Sequence, residues 1–163
     1  MTSHNSKQDS KNVPQPMPTK WDVYGNFGQA VQVAQTLERV LAYYIEVFEL
    51  HGKGTIDKAV RDDIFSKLER LTLGQLKQRF QHFLPNADQK LIEMLQDALR
   101  RRNDLIHRFF ITYEKYVKTP EHYPKLIAKL QDDAHSLDTV CMFFVRVMQK
   151  TKRDVAKHFP EGL

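Results

Sequence analysis

The sequence predicts an all-helical bundle, and three observations carry that expectation. Turn residues are scarce, with six glycines and seven prolines among 163 residues, where a many-stranded fold would need more. Apolar residues recur at helical spacing over long stretches, and nothing alternates with the two-residue period of a strand. The balance of 41% hydrophobic and 28% charged residues is that of an ordinary globular chain with one core.

Residues 1–20 are rich in Ser, Asn, Gln, Lys and Pro and hold little to bury, so a disordered polar tail is expected there. A helical domain over 21–158 and a short tail over 159–163 follow. The ordered part is expected to begin around Trp21 to Tyr24. Advancing about 100° per residue from Phe27 aligns Val31, Ala34, Leu41, Ala42 and Ile45 within about 60° of one line, which predicts a first helix to about Leu50. The stretch His51-Gly52-Lys53-Gly54 is a stop signal. A second helix is expected over about Ile56 to Arg70, with Ile64, Leu68 and Leu71 facing in. Thr72-Leu73-Gly74-Gln75 has the spacing of a capping box and opens a short third helix to about His82. The fourth helix is expected from Asn86, its cap, without a break to about Tyr116. Thr119-Pro120 starts the last one, which carries Leu126, Leu130, Leu137, Cys141, Phe144 and Met148 on its stripe to about Lys157. The expected architecture is therefore a bundle of four to five helices joined by short loops.

The formal charge is +5 and the isoelectric point about 9.3, which suits an RNA partner without requiring one. The single cysteine rules out a disulfide or zinc framework within one chain. His82, His122 and His135 lack zinc-binding spacing. No metal and no cofactor are expected, as there is neither a phosphate-cradling glycine loop nor a nucleophile elbow. No apolar run approaches the ~18 residues of a membrane span, and no signal-peptide core is present. A cytoplasmic protein without membrane contact is the expectation.

The informative residues are those that interrupt the apolar stripes. With Leu91 at 0°, Arg102 falls at about 20°, inside the stripe formed by Leu95, Ala98, Leu105, Ile106 and Phe109. Glu38 falls at about 20° in the first helix, and Asp133 at about −20° relative to Leu126 in the last. A charge on a core face is costly unless paired. Arg102 is therefore expected to pair with Glu38 or with Asp133 across the bundle; the alternative is a wide stripe with these residues at its wet edge. Asn103 and His107, four positions apart, share a helix face at about 120° and 160°. One stretch thus carries a cation, an amide and a titratable imidazole.

Arg102-Asn103, three intervening residues and His107, late in a helical bundle, resemble the signature of the HEPN family, an Arg followed after four to six residues by His. Leu105-Ile106-His107-Arg108-Phe109-Phe110, Thr72-Leu73-Gly74-Gln75-Leu76, and Gln35 with Glu38 add to the likeness, which spans most of residues 25–155 by helix order. The resemblance implies a HEPN-like fold and a metal-independent endoribonuclease whose site is completed across a homodimer, with the His107 helices facing each other. It also implies a setting in stress response, toxin–antitoxin pairing or phage defence, where an antitoxin or other protein partner is possible. The toxin branch regulated through a tyrosine two residues after the His has its counterpart here in Phe109, which lacks a hydroxyl, so that control is not expected.

The residues allow this chemistry. His107 can take or give a proton near neutral pH, Arg102 can stabilise charge on a phosphate, and Asn103 can orient either group. One Arg–His pair supplies too few groups alone. Arg100, Arg101 and Arg108 are candidates to follow RNA phosphates, or else form a solvated face. Tyr113 and Tyr116 are candidates to stack on bases, or core aromatics. Two other readings stay open: a non-catalytic module that binds RNA, a nucleotide or a protein, and a structural dimeric bundle in which Arg102 and Glu38 set helix register.

Overall fold

The computed structural model describes residues 16–53, 57–83 and 88–158, and their side chains except those of 51–53 and 151–158. All regular structure among the described residues is helical. Helix α1 spans Lys20–Lys53, α2 Lys58–Leu68, α3 Leu73–Phe83 and α4 Gln89–Asn103. A π-helical turn, Asp104–Arg108, continues α4 into the short helices α5, Phe109–Thr112, and α6, Glu114–Val117. A 3₁₀ turn, Pro120–His122, leads into α7, Tyr123–His158.

Local chemistry sets the helix starts. Thr19 and Asp22 cap α1 reciprocally: the Thr19 amide donates to Asp22 Oδ2 at 2.7 Å, and the Asp22 amide to Thr19 Oγ1 at 3.3 Å. That bond with Thr19 holds the Asp22 carboxyl below its ordinary range. The helix therefore begins before Phe27, and Trp21 to Tyr24 lie within its first turns. The box at Thr72 forms as its spacing predicts, with the Thr72 amide donating to Gln75 Oε1 at 2.9 Å and the Gln75 amide to Thr72 Oγ1 at 3.4 Å. Asp57 caps α2 and Asp88 caps α4. The expected cap Asn86 lies outside the described residues.

Helices α1 and α7, 34 and 36 residues long, form the axis of the bundle. Two apolar clusters lie along it. One gathers Leu37, Leu41 and Ile45 of α1 with Leu68, Leu76, Phe80, Leu95, Leu137 and Phe144 from α2, α3, α4 and α7. The other gathers Val23 and Ala30 of α1 with Leu105, Phe109, Val117, Leu126 and Leu130. Cys141 is buried in the first, and burial pushes its thiol up from the ordinary range, as suits a packing residue. Ion pairs fasten the short helices to α1: Arg61 Nε of α2 meets buried Glu46 at 2.9 Å, and Arg79 Nε of α3 meets Glu49 at 2.8 Å. Among the described residues no helix is long and apolar enough to cross a membrane.

The fourth helix departs from its expected form. It does not run unbroken to Tyr116: the π turn interrupts it after Asn103, and Tyr113 leaves helical geometry with φ −107° and ψ 15°. The turn widens the helix by one residue per hydrogen-bonded ring. It lies where α4 leaves the first cluster, at Ala98, and enters the second, at Leu105.

Candidate active site

Arg102 lies on the last turn of α4, between the two apolar clusters. Its side chain is 17% exposed and that of Glu38 is 19% exposed, and Arg102 Nε donates to Glu38 Oε1 at 2.9 Å. Glu38 therefore takes Arg102, and Asp133 does not. The same Glu38 oxygen accepts the Leu73 amide at 3.3 Å, a free N–H of the first turn of α3. One carboxylate thus ties α1, α3 and α4 together beneath the guanidinium.

The outer edge of Arg102 faces His107. Arg102 Nη1 lies 3.2 Å from His107 Nε2 and 3.3 Å from Asn103 Oδ1. A guanidinium only donates, so a hydrogen bond in this contact has His107 Nε2 as its acceptor. In a regular helix Arg102 and His107 would stand about 140° apart. The π turn, closed by bonds between residues five apart, brings positions with that separation onto one face. Such turns recur at functional positions, and here the turn converts a five-residue spacing into a contact. His107 and Asn103 are exposed, while Arg102 and Glu38 are half-buried. The group is a surface site on a fixed base.

The other candidates separate from it. Asp133, 3% exposed, accepts from Arg101 Nη1 at 2.9 Å and from Lys129 at 2.6 Å. Arg101 also meets Asp97 at 2.7 Å and Asp132 at 2.7 Å. Burial opposes the Arg101 charge, but its bonds to Asp97, Asp132 and Asp133 outweigh burial and hold it firmly protonated. Arg101 is thus a link from α4 to α7, with little of its charge left to offer a phosphate. Arg100 is paired with Asp97 at 2.5 Å and Arg108 with Asp104 at 3.6 Å, and both stay well exposed. Tyr113 is half-buried against Phe109, and Tyr116 packs on the His122 ring. Phe109 is buried. A half-open cavity of about 180 Å³ lies on the α7 side of the π turn, lined by Asp104, Arg108, Thr112, Tyr113, Lys129 and Asp133. It does not include Arg102 or His107. No group of three His, Cys, Asp or Glu suited to a metal ion occurs among the described residues.

The Arg101 network carries a pH prediction. Hydrogen bonds from Arg101 and Arg100 hold Asp97 below the usual carboxylate range, and the bond from Arg101 does the same for Asp132. Carboxyls lowered in the folded state stabilise it above their unfolded value of about 3.9 and lose that contribution as pH falls through the lowered values. The melting temperature is therefore expected to fall below about pH 4, and more gently in Arg101→Met, which starts less stable at neutral pH. Parallel pH profiles for the two proteins would remove the network from the acid response.

Sequence reasoning missed two features. The π turn has no residue signature; it follows from which side chains are buried on either side of it. The rings of Trp21, Tyr24, Phe27 and Phe110 form a continuous edge-to-face and tilted series, with centroids 5.9, 5.8 and 4.7 Å apart for Trp21–Tyr24, Tyr24–Phe110 and Phe27–Phe110. The three-residue spacing of Trp21 and Tyr24 was a usable signal for the first of these contacts. Comparison with protein-family models, curated proteins and solved structures finds no match to this chain.

Proposed function

We propose that the protein is an endoribonuclease that cuts RNA without a metal, using Arg102 and His107 from each of two copies. The observation that carries this reading is the contact between Arg102 Nη1 and His107 Nε2, 3.2 Å apart, on a guanidinium anchored by Glu38. In RNA transesterification a base removes the 2′-hydroxyl proton, that oxygen attacks the adjacent phosphorus, and the 5′-oxygen leaves with a proton from an acid. His107 Nε2 faces the Arg102 guanidinium. A 2′-hydroxyl in that place would lose its proton to Nε2, while Arg102 meets the charge growing on the phosphate oxygens. Asn103 Oδ1 steadies Arg102 Nη1 between them.

One imidazole cannot be base and acid in the same step. A two-fold pairing sets each residue against its counterpart, so a second copy supplies the second His107. Exposed apolar residues beside His107 support such a face: Ile106 is 36% and Ile111 80% exposed, and a stable face needs about 800 Å² from each partner. The HEPN resemblance points the same way, and a role in stress response, toxin–antitoxin pairing or phage defence belongs to that resemblance alone.

A non-catalytic RNA- or protein-binding module is the second reading. It is favoured by Glu38, which pairs with the Arg102 charge before any phosphate arrives. The deciding experiment measures mass in solution and cleavage of several unstructured RNAs in excess chelator. Cleavage by a dimer, with products ending in 2′,3′-cyclic phosphate, is the expected result. A monomer, or no cutting above a heat-inactivated control, overturns the composite nuclease.

A further inference from the structure

We infer that the aromatic strip Trp21–Tyr24–Phe110 is a base-stacking track that leads unpaired RNA into the Arg102–His107 group. This rests on the nuclease reading of that group, and it adds a binding subsite and a preference for single strands. The strip and the group lie along one seam between α1 and the α4–α5 segment. Phe27 and Glu38 are both on α1, about 16 Å apart by helical rise. Phe27 meets Phe110, and Glu38 meets Arg102. Ile106 and His107 fall between these two contacts along the chain.

The strip has the chemistry of a nucleobase platform. Trp21 is 79% exposed and Phe110 42% exposed, and each meets Tyr24 at a steep angle, 71° and 61° between ring planes. A base needs a flat π surface, and aromatic stacking accepts every base. Lys20 Nζ lies 5.4 Å over the Tyr24 ring centre at one end, and Arg102, paired with Glu38, faces His107 beyond the other. The acidic residue of that first turn, Asp22, is bound back by Thr19. A run of exposed rings beside a lysine suits a phosphate backbone with its bases turned inward. A duplex keeps its bases stacked on one another and cannot use the rings.

Trp21 is the one tryptophan in the chain, so its emission reports the strip directly. The full-length His107→Ala protein, which keeps the strip and is expected to cut far more slowly, is titrated with oligouridine, oligoadenosine and a duplex RNA of equal length. Saturable quenching by the single strands and little by the duplex is expected. Variants at Trp21 carry no tryptophan, so their binding is read instead by the anisotropy of a dye-labelled oligouridine. Trp21→Ala should weaken single-strand binding on the order of tenfold or more, and Trp21→Phe should restore most of it. Cleavage by the otherwise unaltered protein without quenching, or with equal affinity in Trp21→Ala, overturns the track and leaves the nuclease standing. Quenching without any cleavage by the unaltered protein supports the track and overturns the nuclease. A change of oligomeric mass in Trp21→Ala overturns the track in favour of a contact between copies.

Discussion

His107→Ala is expected to lower RNA cleavage by about 10²–10⁴-fold and to leave the fold intact. His107 is exposed and makes its hydrogen-bond contact with Arg102 alone among the described residues, so removing it costs the bundle little. Arg102→Lys tests the other half. The guanidinium reaches Glu38 through Nε and His107 through Nη1 at once, and the compact ammonium of lysine cannot span both. A loss of about 10²-fold is expected, even though the charge is kept. The measurement is single-turnover cleavage in chelator, with circular dichroism and light scattering on each variant. If folded, dimeric His107→Ala cuts at the parental rate, the imidazole is not part of the chemistry. If Arg102→Lys matches the parent, the fork geometry is irrelevant and only charge counts.

Glu38→Ala should weaken both stability and activity. The substitution strips Arg102 of its anchor and leaves the Leu73 amide without its acceptor. Both groups are half-buried or less exposed, so the loss approaches that of hydrogen bonds to a charged group, about 1.5–3 kcal/mol, read as a shift in urea midpoint. Activity should fall by about 10²-fold, in kcat more than in KM, because Glu38 positions Arg102 without touching RNA. Glu38→Gln keeps an acceptor oxygen of similar shape and should recover much of the stability. Its activity separates the two readings of the ion pair. Recovery together with stability marks Glu38 as a positioning residue. Tighter RNA binding in Glu38→Gln than in the parent would mean that the carboxylate competes with phosphate for Arg102, as the binding-module reading requires.

Arg102, His107 and Glu38 all stand out in the sequence pattern. Arg102 and Glu38 were conspicuous because each places a charge within an apolar stripe, and a charge there must find a partner. Helical wheels could not choose between Glu38 and Asp133 for Arg102, since both face the core at a similar angle. Adjacent Arg101 decides the matter: it points toward α7 and binds Asp133 along with Asp97 and Asp132, while Arg102 points toward α1. Consecutive arginines on a helix diverge by about 100°, so they serve opposite neighbours. For the same reason the charge of Arg101 is engaged by three carboxylates.

Helix identity and most boundaries followed from short-range chemistry. The periodic stripes and the capping box at Thr72 are properties of a few neighbouring residues, and they are realised as such, whereas Thr119-Pro120 opens a 3₁₀ turn without a side-chain cap from Thr119, and α7 begins only at Tyr123. The tertiary structure alone decided the phase of the fourth helix. Ala98 must be buried against one apolar cluster and Leu105 and Phe109 against the other, and a π turn between them reconciles the two packings. That long-range demand, invisible to a uniform 100° wheel, is what carries His107 from the far flank of its helix to within 3.2 Å of Arg102.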